Sequence, residues 1–105
     1  RILLINQGRL AFDGDYERLI RMTGDRRVVK LTVDGTPPAL PGTEFVGREN
    51  GKCVYRYDAE KLPVDRLFAA LSQTVGVRDV EMEHEPIETV IARLYRSWER
   101  EEAAR

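Results

Sequence analysis

The sequence has few of the residues that build common catalytic and metal sites. It contains one cysteine, Cys53, and one histidine, His84, in 105 residues. A lone cysteine excludes an internal disulfide, which fits a reducing, cytosolic compartment. A lone histidine excludes a metal site built on two histidines.

The sequence also lacks a charge excess and a long apolar run. Its 17 basic and 18 acidic residues are interleaved and give a formal net charge of −1. Binding to a nucleic-acid backbone usually needs a basic surface, so we expect no nucleic-acid partner. Apolar runs such as residues 2–5 fall far short of the roughly 20 residues that a membrane-spanning helix requires.

The composition that remains is that of a folded chain, with 42% apolar and 33% charged residues. A chain of this length supports one compact domain, or one small domain that carries a fragment of another. It begins at Arg1, without an initiator methionine or a leader. We therefore expect an excised piece of a longer protein.

The pattern of turns and apolar residues predicts the order ββα, then βββαβ, then α. Residues 2–5 and 9–12 flank a turn at residues 6–8, which predicts a hairpin before a helix capped by Asp15. Farther along, Asn50-Gly51 between two strand-like segments is typical of a type I′ hairpin turn.

Two later helices are predicted after Pro63 and Pro86, on either side of a strand that alternates apolar and acidic residues. The first of them has one apolar stripe, which consists of Val64, Leu67, Phe68, Leu71 and Val75. The order predicts an α+β fold, ferredoxin-like in flavour, with a small, mainly antiparallel sheet and helices packed on one face. The predicted divisions are residues 1–24, residues 25–98 and a frayed tail at 99–105.

The polar candidates offer little chemistry. Glu81, Glu83 and Glu85 are predicted to line one face of a strand, where a solvated acidic surface is favoured over a cation site. His84 is interpreted as a core or strand-end residue, and Cys53 as a small buried hydrophobe. No glycine-rich phosphate loop is present. We predict no catalytic, cofactor-binding or metal-binding residue in this segment.

The last predicted helix carries an aromatic and basic cluster at Tyr95, Arg96 and Trp98. Two interpretations stay open at this point. Trp98 can pack into the core while its charged neighbours extend along it toward solvent, or the cluster can form a partner surface, since aromatic residues and arginine are typical interface anchors.

Residues 1–19 resemble the final hairpin and helix of ATP-binding subunits of ABC transporters, through Arg1, the apolar run 2–5, Gly8-Arg9, Asp13-Gly14 and Leu19. Residues 27–98 are similar to the accessory C-terminal domain of some such subunits. That similarity lies in the order of the acidic and apolar strand, residues 86–91 and Leu94-Tyr95-Arg96.

The resemblance implies that the ATP and Mg²⁺ sites of the parent chain lie upstream of Arg1, so that His84 is not the switch histidine. The segment is then a silent accessory domain for dimerisation or regulation. Its partners would be a second copy and, through the parent, a membrane permease at the cytoplasmic face of the membrane.

A second hypothesis is a ferredoxin-like module that senses a small molecule, with residues 35–42 as a lid. Nothing in the sequence selects a ligand. A stand-alone enzyme ranks third, because no paired nucleophile and base or metal-ligand spacing is present.

Overall fold

The computed structural model describes residues 1–103, and its contacts divide the chain into two compact units. The terminal unit comprises Arg1–Gly24 and the chain from Glu85 onward, and the central unit comprises Asp25–His84. The elements are β1 (Ile2–Asn6), β2 (Arg9–Gly14), α1 (Tyr16–Thr23), β3 (Arg26–Val33), β4 (Glu44–Glu49), β5 (Lys52–Asp58), α2 (Val64–Ser72), β6 (Val77–His84) and α3 (Ile87–Ala103).

The terminal unit is an antiparallel β1–β2 hairpin with two helices, α1 and α3. The backbone N–H of Arg18 donates to the Asp15 carboxylate at 2.9 Å, which confirms the predicted cap of α1. Apolar residues from all four elements form one core, which consists of Leu4, Phe12, Leu19, Val90 and Leu94. The last helix therefore packs with the opening hairpin, whereas the sequence placed it with residues 25–98.

Helix α3 also continues past its apolar stripe to Ala103. Residues 99–103, which the sequence analysis assigns to a frayed tail, are helical here, and residues 104 and 105 lie outside the described residues. Glutamate, arginine and alanine fill this last stretch. All of them have high helix propensity, so the helix needs no apolar contact to extend through them.

The central unit is a four-stranded antiparallel sheet in the order β4-β5-β3-β6, with one helix, α2. Asn50 and Gly51 both have positive φ, as the type I′ hairpin between β4 and β5 requires. One sheet face and α2 share a core made of Val29, Leu31, Leu40, Cys53, Tyr55, Tyr57, Leu67 and Leu71. The α+β class and the antiparallel pairing are confirmed, consistent with a small ferredoxin-like fold.

The apolar stripe of α2 is narrower than predicted. Leu67 and Leu71 are buried, but Val64 and Phe68 are each 50% exposed and Val75 is 95% exposed. The helix ends at Ser72, so Val75 lies beyond it. This helix of nine residues therefore buries Leu67 and Leu71, and Ala70 packs beside them with partial burial.

No helix within residues 1–103 combines the length and the apolar character that crossing a membrane requires.

The neighbouring residues Leu67 and Phe68 test this packing. We expect Leu67→Ala to lower the free energy of unfolding by about 2–5 kcal/mol, because it leaves a cavity beneath α2. Phe68→Ala should cost about 1 kcal/mol or less, because half of the ring already contacts solvent. Urea denaturation followed by far-UV circular dichroism measures both. Equal losses would contradict the assignment of the buried face.

Candidate functional site

Of the predicted interface residues of α3, Tyr95 and Trp98 contact other parts of the terminal unit, and Arg96 is exposed. The Tyr95 hydroxyl donates to the Ile5 carbonyl oxygen at 2.6 Å, and the Tyr95 and Trp98 rings meet edge to face at 5.1 Å. Trp98 packs against the terminal core, whereas Arg96 is exposed. Tyr95 and Trp98 thus contact each other, and Tyr95 joins α3 to β1. Arg96 remains exposed and can contact a partner.

Glu85 is buried and lies outside the acidic strand in which the sequence pattern places it. Strand β6 ends at His84, and the Glu85 side chain is 2% exposed. Its Oε1 accepts a hydrogen bond from Nη1 of Arg93 at 2.5 Å, and its backbone oxygen accepts one from the Tyr16 hydroxyl at 2.9 Å. Glu85 therefore anchors the start of α3 to α1, and the prediction of a solvated Glu85 is wrong.

The buried pair of Glu85 and Arg93 is incompletely satisfied. Oε2 of Glu85 and both Nε and Nη2 of Arg93 are shielded from solvent without a hydrogen-bond partner among residues 1–103. Desolvated charges repay their loss of hydration only when their remaining hydrogen-bonding positions are filled. The pair therefore joins the residue before α3 to the middle of that helix and adds little net stability.

Glu81 and Glu83 do lie on the polar face of β6, where they join a charge ladder with neighbouring strands. Lys52 donates to Glu81, and Nζ of Lys30 lies 3.3 Å from Glu83 and 3.8 Å from Glu49. The hydrogen bond from Lys52 lowers the pKa of Glu81, and the same bond raises the pKa of Lys52. Lysines thus neutralise these carboxylates across the sheet.

The remaining sequence candidates lie apart from one another. Cys53 is fully buried in the central core, opposite Leu31. His84 is exposed at the end of β6, opposite Arg27. Within residues 1–103, no group of three or more histidine, cysteine, aspartate or glutamate side chains is arranged to hold a metal ion.

A groove of about 320 Å³ lies beside the proline-rich loop that precedes β4, and apolar side chains dominate its lining, including Pro38, Leu40, Phe45 and Tyr55. The Tyr55 hydroxyl donates to the Pro38 carbonyl oxygen at 2.5 Å, and the Phe45 ring lies 5.4 Å from the Tyr55 ring. Burial raises the pKa of Tyr55, so this hydroxyl keeps its proton at neutral pH. The loop is thereby tied to the sheet beside an apolar recess.

Comparison of the chain with protein-family models, curated proteins and solved structures finds no match. The case for a function therefore depends on the residues and contacts described above.

The Glu85–Arg93 pair generates a prediction that tryptophan fluorescence can follow. Trp98 lies on the same helix as Arg93 and packs against the core of the terminal unit. We expect Arg93→Met to cost about 3–5 kcal/mol of unfolding free energy, because it leaves a buried carboxylate unpaired. The double change Glu85→Met with Arg93→Met should restore stability to within about 1 kcal/mol or exceed it. Urea denaturation followed by tryptophan fluorescence measures both, with the exposed Arg96→Met as the control. Similar losses from all of these variants would refute the pairing.

The charge ladder predicts a pH dependence. Because the pKa of Glu81 is lowered in the folded state, its stabilising effect is complete above the ordinary value of 4.5 and is lost as pH falls through the lowered pKa. We expect Glu81→Gln to reduce the urea midpoint at pH 7 and to have no effect once the wild-type carboxylate is protonated. Glu60→Gln, an exposed change outside the ladder, serves as the control. A difference between wild type and Glu81→Gln that is independent of pH would contradict the ion pair.

Proposed function

We propose that the chain is the C-terminal part of an ABC transporter ATP-binding subunit, in which it serves dimerisation or regulation. The parent chain would bind and hydrolyse ATP with Mg²⁺ upstream of Arg1 and would drive transport through a membrane permease. The partners proposed for it are a second copy and that permease, at the cytoplasmic face of the membrane.

The observation that carries this proposal is an apolar hairpin with one uncovered face. Leu4 and Phe12 are buried on one side of the hairpin. Leu3, Ile5 and Leu10 are 57%, 53% and 57% exposed, and the register pairs Ile5 with Leu10. Side chains alternate across a strand, so Leu3 and Ile5 share the face opposite Leu4. Such a patch suits a hairpin that lies between two protein layers, as the end of an ATPase domain would.

The hairpin and capped helix also have the order that the resemblance requires, with β1, β2 and α1 occupying residues 2–23. Between Gly24 and Glu85 the central unit forms an insertion in the terminal unit. This arrangement supports a regulatory role, since an inserted unit is attached to its host at both ends.

The coding sequence upstream of Arg1 tests the identity of the parent. The proposal requires a phosphate loop and a signature motif there, and an upstream region that lacks both would overturn it.

The regulatory role is tested on the full-length chain by replacing residues 25–84 with a short glycine-serine linker. This deletion keeps α3, which a simple truncation after Gly24 would remove from the core of the terminal unit. We expect a changed ATPase rate or a loss of dimer in light scattering at micromolar concentration. Arg66→Gln, which changes one exposed residue of α2 and keeps the central unit, serves as the control. An unchanged rate together with an unchanged oligomeric state would refute the role.

The second candidate is a module that senses a small molecule, and the apolar groove beside Pro38 and Phe45 favours it. Residues 35–42 would then cover the ligand. A ligand that binds only the folded state must raise its apparent stability. A thermal-shift screen with amino acids, nucleotides and metal ions tests this function, and a screen without any stabilising compound would count against it.

A further inference from the structure

A second groove, of about 260 Å³, lies at one end of the central sheet, and its lining contains three basic and two acidic residues. The charged side chains in its lining are Arg26, Glu44, Arg56, Asp58 and Lys61. They come from the start of β3, the start of β4 and the end of β5 with the turn that follows it.

The register of the sheet brings these side chains together. In the backbone register, Arg26 of β3 lies opposite Asp58 of β5, and Arg56 of β5 lies opposite Glu44 of β4. Lys61 lies in the turn that follows β5, where its backbone N–H donates to the Asp58 carbonyl oxygen at 3.1 Å. Cations that are far apart in the sequence thus meet at one end of three neighbouring strands.

The cations outnumber the carboxylates that face them, with Arg26, Arg56 and Lys61 against Glu44 and Asp58. The Asp58 carboxylate already accepts the backbone N–H of Glu60 at 2.9 Å. Neither Arg26 nor Lys61 has an ion-pair partner within residues 1–103. The groove therefore carries a net positive charge in a chain whose formal net charge is −1.

The carboxylates of the groove engage Arg56 only in part. Its Nε is shielded from solvent and has no hydrogen-bond partner among residues 1–103. The nearest carboxylate oxygen, on Glu44, lies at 3.9 Å, which is beyond hydrogen-bonding distance. The Arg56 side chain as a whole is 37% exposed, so the outer N–H groups of its guanidinium can donate to an oxygen ligand in the groove.

We propose that this groove binds a small phosphate-class oxyanion, either free or as the phosphate of a small ester. A guanidinium and an ammonium recognise phosphate oxygens by charge-assisted hydrogen bonds. Cations that converge from three segments suit a compact tetrahedral anion better than a flat carboxylate. The proposal does not depend on the parent of the chain, since every lining residue belongs to the central unit.

Titration of the chain with inorganic phosphate at constant ionic strength tests this site, with amide chemical shifts as the readout. We expect saturable shifts at Gly42, Thr43 and Lys61, and Arg56→Gln and Lys61→Gln should each weaken binding about tenfold or more. Arg66→Gln, which removes one positive charge from the exposed surface of α2, should leave the affinity unchanged.

Glu44→Gln gives a test that loss of folding cannot imitate, because it removes a competing carboxylate and should tighten phosphate binding severalfold. A parallel titration with glycerol 3-phosphate distinguishes the sources, since tighter binding than that of inorganic phosphate indicates an ester and weaker binding indicates the free anion. The proposal is overturned by absence of saturable shifts, by equal weakening in Arg66→Gln, or by unchanged affinity in Arg56→Gln and Lys61→Gln.

Discussion

The pairing of β3 with both β5 and β6 is the constraint on which the central unit depends. Val29 and Leu31 of this strand are fully buried, while Lys30 between them lies on the charged face. Because side chains alternate along a strand, a slip of one residue would bury Lys30 and expose both apolar neighbours. The same register sets the charge ladder on one face of the sheet and the groove at its end. One strand thus determines the core and the polar surfaces together.

The terminal unit depends on contacts between segments that are far apart in the sequence. Tyr16 and Glu85, 69 residues apart, are joined by one hydrogen bond, and Tyr95 and Ile5, 90 residues apart, by another. These two bonds join α3 to the hairpin and the residue before α3 to α1. Residues from both the first and the last segments of the described chain thus build the terminal core, and the central unit lies between those segments in the sequence.

Local chemistry explains which features the sequence predicted correctly. The Asn50-Gly51 turn, the Asp15 cap and the strand between the last two helices depend on neighbouring residues, and the structure confirms them. Glu85 was misassigned because the alternation of charges in β6 continues into it, although the strand ends at His84. Its partner, Arg93, has the same appearance in the sequence as its exposed neighbours. Burial of that pair is decided by tertiary packing, which a single sequence does not display.

The basic groove shows that strand register can concentrate positive charge locally in a chain whose basic and acidic residues are interleaved in the sequence. A net charge near zero argues against a nucleic-acid partner, because a long polyanion requires an extended basic surface. A small oxyanion requires only a few converging cations, and balanced composition places no limit on such a local cluster. Arg26 is distant in the sequence from Arg56 and Lys61, yet antiparallel pairing of β3 with β5 brings all three to one groove. The fold can therefore contain a basic groove although the sequence has no basic stretch. The pairing of the strands creates that groove.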